Sequence, residues 1–463
     1  VPIPAFYCRA CGYRILEHDL IIYIAELVSE EGVDIWFQKK AEDLLPEKFS
    51  CPKCKESDIV KENDILDVWF ESGVSHQAVL KRNKSLDYPC QLYLEGSDQH
   101  RGWFQSALIS SMALDDAAPY KAVLTHGFTV DGEGKKMSKS LGNVIAPQDI
   151  MKKYGADILR LWVASSNYSD DVRISDEIIK GSADAYRKMR NTLRYLLSNI
   201  YDFNPGQNRV KPDDMEEIDR WMLSRLAHLL KEVAENYSKF LFYKVYRLIY
   251  NFCVYEVSSL YLDVLKDRMY TFKKDSLKRR SGQTVIFEIL NCLVKMLAPI
   301  LPFTTEEVWQ NVPILRISES VHLSDWPDKE IEAEKWINAG LDKKWETLIT
   351  VREAVLKVLE EKRIEKFLGS SLEAKVKIYA KNENLRKLLN CNIKHLPMLF
   401  IVSQVELEDT MPDEAKDFSE LAVSVKVQSA DGKKCQRCWN YSTSVGTHKE
   451  HPNICKKCLN NIY

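Results

Sequence analysis

Eight of the twelve cysteines stand in C-x-x-C pairs: Cys8/Cys11, Cys51/Cys54, Cys435/Cys438 and Cys455/Cys458. Cysteines two residues apart on a tight turn can put two thiolates on one tetrahedral Zn²⁺, and two such pairs close the shell. The C-terminal set is CQRC, sixteen residues, then CKKC, inside the range of a four-cysteine zinc ribbon or knuckle. The N-terminal set is CRAC, thirty-nine residues, then CPKC, a looser spacing with room for a helix from Ile21 to Val28. Paired disulfides or two redox motifs are the competing readings; neither suits a chain with four further isolated thiols and no recognisable signal peptide. Four cysteines leave no open coordination position, so one to two structural zinc ions are expected, contributing folding free energy rather than chemistry. His448 and His451 lie between the last two pairs, where thiolates already fill the shell. Cys90, Cys253, Cys292 and Cys391 read as small buried hydrophobes.

A second chemistry-bearing stretch is 121–150, KAVLTHGFTVDGEGKKMSKSLGNVIAPQDI. Ala122 to Leu124 and Phe128 to Val130 read as short buried strands, and Asp131-Gly132-Glu133-Gly134 as a flexible turn. Lys135, Lys136, Ser138, Lys139 and Ser140 follow, Gly142-Asn143 ends the loop, and Pro147 opens a helix expected from about Gln148 to Trp162. A mobile cationic loop hinged by glycines can swing over a polyphosphate and neutralise charge as it builds in a transition state. An ordinary solvated Lys/Ser turn is the alternative, because the spacing is not that of a Walker motif.

The elements that must position these groups read as follows. The 463 residues point to about three domains. Composition is that of a globular chain, with 45% hydrophobic and 29% charged residues, and few glycines and prolines, which favours long helices. Net charge is −2, so any nucleic-acid binding must come from local patches. No apolar run approaches the roughly 18–20 residues of a transmembrane helix, and the N-terminus lacks a targeting pattern, so a soluble chain is expected. Residues 216–236 place Ile218, Met222, Leu226, Leu229 and Val233 at helical spacing; 243–266 and 283–297 repeat the pattern, giving an antiparallel helical bundle over about 181–330. Residues 331–434 mix a charged helix (Trp345 to Phe367) with strand patterns at Ala374 to Ile378 and Leu421 to Val427, a small α/β module before the zinc tail 435–463.

Two basic clusters stand out. Arg187, Lys188, Arg190 and Arg194 give one charged helix face. Between Lys266 and Arg280 stand seven basic residues and two acids, with Tyr270 and Phe272 interleaved. This is either an RNA-facing edge or a solvated helix-end loop. Lys433, Lys434, Arg437, Lys456 and Lys457 ring the last cysteines, either to touch RNA or around a folding staple.

Lys136-Met137-Ser138-Lys139-Ser140 resembles, at all five positions, the KMSKS motif of class I aminoacyl-tRNA synthetases. Residues 92–104, LYLEGSDQHRGWF, resemble the adenylate-binding strand and turn of the isoleucyl branch, and Asp67 to Gly73, DVWFESG, another of its motifs. The resemblance covers nearly the whole chain. It implies the second half of a class I Rossmann-like catalytic domain over 1–145, with a four-cysteine zinc insertion at 8–54 and the lysine loop at 136–140. A stem-contact helical region would follow at 146–180, then an anticodon-binding bundle at 181–330, an α/β junction at 331–434 and the zinc tail. The fold class is thus multidomain α/β plus α.

The implied reaction is ATP-dependent activation of L-isoleucine and its transfer to tRNA(Ile), with ATP and Mg as substrate and a cytoplasmic monomer as the setting, an organelle being the other. By this resemblance Lys136 and Lys139 act on the ATP phosphates, with Ser138, His126 and Gly127 also at ATP. Glu95, Gly96, Asp98 and Gln99 would hold isoleucyl-adenylate, and Trp69 and Trp103 would line its side-chain pocket. Plain core packing is the other reading of each tryptophan, and a satisfied structural histidine that of His126. The sequence contains no H-x-G-H and no editing domain, so the chain is expected to be the C-terminal portion of a larger synthetase, inactive alone. A non-catalytic RNA-binding zinc protein of synthetase descent, or a valyl-type enzyme, are the competing assignments.

Overall fold

Alternating apolar residues at Phe6, Cys8 and Ile15 fold the N-terminus into a three-stranded antiparallel sheet. In a computed structural model that describes residues 1–312, 318–327 and 332–462, its strand order is Arg14–Ile15, Phe6–Cys8, Ile59–Lys61. The helix between the cysteine pairs is longer than expected, His18–Glu31, ending at Gly32 with φ 86°. It buries Leu20 and Ile24 against Phe6, Ile15, Trp36 and Ile59, a small separate core beside the two N-terminal cysteine-bearing segments.

The chain divides into two units, one of residues 1–129 with 168–172, the other of 130–167 with 173–463. The rest of the first unit is a strand–helix–strand arrangement. Strand Tyr93–Gly96 leads through a tight turn, Ser97–Arg101, into helix Trp103–Asp115, then strand Val123–His126. The two strands pair in parallel, with Glu95 opposite Thr125 and Gly96 opposite His126. A parallel pair requires this kind of crossover helix, and its turn puts the strand's C-terminal end and a helix N-terminus at one place.

In the second unit the helix expected from Gln148 to Trp162 is two helices, Pro147–Tyr154 and Ala156–Ser165. Gly155 between them takes φ 93°, a conformation that ends an α-helix and that glycine adopts without strain. Helix Asp176–Ser198 runs unbroken past residue 181. The bundle continues with Glu217–Ser238, a helical stretch Phe242–Thr271, Leu277–Leu297 and Pro302–Asn311. Phe242–Thr271 spans 30 residues and is long and apolar enough to cross a membrane, which scanning for uninterrupted apolar runs missed. Its apolar side is instead the bundle's core: Val245, Ile249, Phe252, Val257, Tyr261 and Leu265 are buried. Its middle, Phe252–Tyr261, is wound in wider turns that carry the stripe past neighbouring helices.

Helix Ala339–Ile364 leads into a four-stranded sheet ordered Lys416–Phe418, Val423–Ser429, Ala374–Ala380, Gln404–Leu407. The Ala374–Ala380 and Gln404–Leu407 strands are parallel, joined through helices Glu383–Asn392 and Leu396–Phe400. Cys253 and Cys292 are buried as expected, whereas Cys90 is half-buried and Cys391 is exposed.

Candidate active site and metal centres

Three of the four cysteine knuckles turn in the same way. The residue after the second cysteine is left-handed: Gly12 (φ 67°), Lys55 (φ 68°) and Trp439 (φ 63°). Its N–H returns to the carbonyl of the first cysteine at 2.8, 2.9 and 2.9 Å. Only one of the three is glycine, so the turn is held by these hydrogen bonds and by what the thiols meet. Within each set every sulfur lies within 4.8 Å of the others. Close pairs are Cys8–Cys54 at 3.4 Å, Cys11–Cys51 at 3.7 Å, Cys435–Cys458 at 3.8 Å and Cys438–Cys455 at 3.7 Å. A tetrahedral Zn²⁺ with Zn–S of about 2.3 Å spaces its sulfurs about 3.8 Å apart, so both sets fit a closed structural site. At the C-terminal set, hydrogen bonding from the Cys455 thiol holds Cys438 down to about 4, while Cys455 is pushed well above its ordinary range. Zinc binding takes the thiolate form, and a lowered thiol favours it. No third cluster of this kind occurs among the described residues.

The C-terminal finger is docked on the bundle. Arg437 Nη2 donates to the Thr271 carbonyl at 2.9 Å, and Lys457 pairs with Asp267 at 2.7 Å. Both contacts fall at the end of Phe242–Thr271, where a helix C-terminus offers free carbonyls. Two of the five cations ringing the finger are therefore docking contacts, and Lys433, Lys434 and Lys456 remain exposed.

In the first unit, Glu95 ends the strand with an exposed carboxylate that has no partner among the described residues. Gly96 beside it is buried, and a Cβ there would come within 2.6 Å of Asp98 Oδ1. Asp98 is exposed, and Gln99 Oε1 accepts the Trp103 backbone N–H at 3.0 Å, capping the following helix. Asp67 caps helix Val68–Gly73 by accepting from Trp69 N at 2.8 Å. The Trp69 ring is 45% exposed and its edge rests on Gly102, where a Cβ would lie 3.0 Å from the ring.

Trp103 is held differently. Its Nε1–H donates to the Ser72 carbonyl at 3.0 Å, and its ring stacks on Tyr93 at 4.3 Å. That is packing behind the strand and the Trp69 helix, rather than an open wall. His126 Nδ1 faces its own neighbour's carbonyl, Gly127 O, at 2.8 Å. Gly127 is required by close approach: a Cβ would sit 2.4 Å from the Asp170 carbonyl oxygen, and its N–H donates to Tyr168 O at 2.8 Å.

The second unit carries the lysine loop, and it is braced rather than merely hinged. Asp131 Oδ1 accepts from the N–H groups of Glu133 (3.0 Å) and Lys135 (2.8 Å), and Oδ2 from Asn143 Nδ2 (2.8 Å). Asn143 Oδ1 in turn accepts from Ser138 N at 2.9 Å. The Asn143 amide and the backbone N–H groups hold the Asp131 carboxyl below its ordinary range. Ser138 and Ser140 hydroxyls meet at 3.0 Å, and Ser138 Oγ accepts from Leu141 N. Lys135 is paired with Glu133 at 2.7 Å. Lys136 and Lys139 are exposed and have no carboxylate partner among the described residues. The bracing pair Asp131 and Asn143 was not singled out in the sequence, although Asp-Gly opening a turn is the pattern in which an Asp side chain binds amides two residues on.

The basic clusters divide into inward-facing and outward-facing cations. Arg268 is buried and clamps Asp219 with two bonds, 2.6 and 2.8 Å; Tyr261 OH donates to the same carboxylate at 2.8 Å, and Ser281 completes the set. Arg279 does the same to Asp202, at 2.7 and 3.0 Å, and Arg280 donates to the Asp202 carbonyl at 2.8 Å. Three of the seven cations thus face inward. Lys266, Lys273, Lys274, Lys278 and Tyr270 remain exposed, Lys266 beside Asp263 and Lys278 beside Glu216. On the other face, Arg190 grips Glu307 at 2.7 and 2.9 Å and Arg187 pairs with Asp184.

Residues 1–175 match the family model described as tRNA synthetases class I (I, L, M and V). Residues 219–378 match the anticodon-binding domain of tRNA ligase, and 432–461 the zinc finger found in FPG and IleRS. A parallel strand–turn–helix–strand unit, a braced lysine loop, a helical bundle and a terminal four-cysteine finger together define a class I aminoacyl-tRNA synthetase architecture. Among curated relatives, the isoleucine–tRNA ligases of Syntrophotalea carbinolica and Caldicellulosiruptor saccharolyticus are each 48% identical over 459 residues, 99% of this chain and 49% of theirs. The chain belongs to the isoleucyl branch of the class I synthetases and corresponds to a C-terminal portion of those ligases. It spans about half the length of the curated relatives it matches. The fold is also similar to the agnB2 LeuRS of Agrobacterium radiobacter K84, solved as a ternary complex with tRNA and LeuAMS. The TM-score is 0.53 at 19% identity, covering 82% of this chain and 43% of that one.

Proposed function

We propose that this chain supplies the lysine-loop half of an isoleucine-activating site, together with the RNA-binding parts of an isoleucine–tRNA ligase. In the reaction, a carboxylate oxygen of L-isoleucine bonds to the α-phosphorus of ATP, carried with Mg, and pyrophosphate leaves. The terminal ribose of tRNA(Ile) then attacks the adenylate carbonyl and AMP leaves. Little covalent work falls to the protein, so positioning and charge neutralisation dominate. The observation that carries the reading is that Lys136 and Lys139 are exposed, without a carboxylate partner among the described residues, on a loop braced by Asp131 and Asn143.

In this reading Lys139, with Lys136, neutralises the phosphates, and Ser138 holds the loop's curvature. Glu95 takes the substrate ammonium or a ribose hydroxyl, and Gly96 keeps the strand end open for adenosine, with Asp98 and Gln99 around it. Trp69 is the flat apolar wall for a branched aliphatic group, backed by Trp103. His126 and Gly127 shape the end of the neighbouring strand at ATP. The domains run about 1–145, 146–180, 181–330, 331–434 and 435–463, the second and third sharing helix Asp176–Ser198, with tRNA(Ile) contacting the helical and zinc-bearing ones. The N-terminal cysteine set holds a second structural zinc. The protein acts in the cytoplasm as a monomer without a membrane partner, and this portion alone is inactive.

ATP–pyrophosphate exchange by the full-length protein, with isoleucine and with valine in parallel, tests the assignment. Exchange driven by isoleucine at lower concentration than valine is expected; a preference for valine, or no exchange with either, contradicts it.

A further inference from the structure

We infer that Arg173 is a third cation of the lysine-loop anion site and binds the pyrophosphate end of the nucleotide; the inference rests on the activation reading above. Arg173 is fixed by its backbone. Its carbonyl accepts from Trp162 Nε1 at 3.2 Å, and the next residue, Ile174, donates its N–H to the Val130 carbonyl at 2.9 Å. Val130 in turn bridges antiparallel to Lys136. Arg173, Val130 and Lys136 therefore lie on three adjoining extended segments, with the 131–134 turn at their end.

The guanidinium lies along that turn. A Cβ at Gly134 would sit 3.4 Å from Arg173 Nη2, 3.6 Å from Nε and 3.7 Å from Cζ. Gly134 itself takes φ 85°, so the position both needs glycine and keeps the guanidinium's flank clear. Neither acid of the turn forms an ion pair with it among the described residues. Asp131 spends both oxygens on three N–H donors, and Glu133 is paired with Lys135. Arg173, like Lys136 and Lys139, is exposed and has no carboxylate partner among the described residues.

Arg173 on its strand and Lys136 and Lys139 on the loop have no carboxylate partner among the described residues, and such a group of cations is stabilised by a ligand that carries several negative charges close together. A planar guanidinium adds what two ammoniums lack, a two-pronged grip on a pair of phosphate oxygens. As the isoleucine carboxylate bonds to the α-phosphorus, the bond to the bridging oxygen breaks and its electron pair passes to the departing pyrophosphate. Arg173 is placed for that growing charge on the β- and γ-phosphate oxygens, so the ligand class is pyrophosphate or the terminal phosphates of a nucleoside triphosphate.

The test is ATP–pyrophosphate exchange by the full-length protein carrying Arg173→Ala, Arg173→Lys or Lys139→Ala. Arg173→Ala is expected to raise KM for pyrophosphate and for ATP by roughly tenfold or more, leaving KM for isoleucine within about twofold. Arg173→Lys keeps the charge but not the fork, and should recover only part of the loss; it also stands in should the alanine variant not fold. If both Arg173 variants match wild type while Lys139→Ala abolishes exchange, the role of Arg173 falls and the activation reading stands. If KM for isoleucine rises as much as KM for pyrophosphate, Arg173 is a structural residue and the inference is overturned. If Lys139→Ala is silent too, the activation reading fails with it.

Discussion

Asp219→Ala should destabilise the helical bundle while leaving RNA affinity per folded molecule unchanged. Asp219 is 0% exposed and receives four donors: two from Arg268, whose side chain is 3% exposed, and the hydroxyls of Tyr261 and Ser281. Removing the carboxylate strands a guanidinium in the core, and breaking a buried pair on one side costs about 3–5 kcal/mol. Replacing both partners by apolar residues, Asp219→Leu with Arg268→Met, should cost far less than the two single changes together, since no buried charge is left behind. Urea unfolding followed by the fluorescence of Trp221, a buried residue on the same helix stacked on Trp345, reads the effect. In the same samples, tRNA binding against salt should keep its slope for the Arg268 variants. Should Arg268→Met leave stability within about 0.5 kcal/mol of wild type and lower the salt slope, the guanidinium faces RNA and the assignment of inner and outer cations is wrong.

Four further outcomes are expected. Changing Lys273 and Lys274 to Ala together should reduce the salt slope of tRNA binding by about 1 for each phosphate no longer neutralised, with the urea midpoint unmoved. Asn143→Ala removes the brace across the lysine loop and should slow adenylate formation by about tenfold to a hundredfold, read by single-turnover kinetics, with zinc content unchanged. Elemental analysis should find two zinc ions per chain, and Cys438→Ser should lose one of them and free the finger from Thr271 and Asp267, read as faster amide exchange over 435–462. Glu307 is held below its ordinary value of 4.5 by the two-pronged Arg190 contact. Its contribution to stability is therefore complete above that value and lost as pH falls through the depressed one, and Glu307→Gln should flatten this acid limb of a urea-midpoint profile.

Periodicity made much of this fold legible. The stripe from Ile218 to Val233 placed a helix whose observed bounds are Glu217–Ser238, and the apolar alternation at 374–378 found strand Ala374–Ala380. Cysteine spacing placed both sulfur clusters, because a tetrahedral ion demands that geometry whatever lies between the pairs. The failures have common physical causes. Gly155 broke a helix that its apolar spacing extended, since φ is set at one residue and periodicity is read over many. Arg268, Arg279 and Arg280 read as surface charge because a sequence shows a cation without its partner, and Asp219 and Asp202 lie 49 and 77 residues away. The Trp103 and Gly127 roles depend on close approach, of Tyr93 and Ser72 to one and of the 168–172 segment to the other, which no local pattern records. The Asp131–Asn143 brace was the missed part of the site with a readable cue, an Asp-Gly turn closed by an amide just past the motif.

The measurement that bears most directly on the central claim compares wild type with Lys139→Ala in the full-length protein, following pre-steady-state adenylate formation and equilibrium isoleucine binding. An ammonium that acts on charge developing at the phosphates should, when removed, slow adenylate formation by about a hundredfold or more while isoleucine affinity stays within about twofold. Equal losses in rate and in isoleucine affinity, or no loss in either, would contradict the role assigned to the loop.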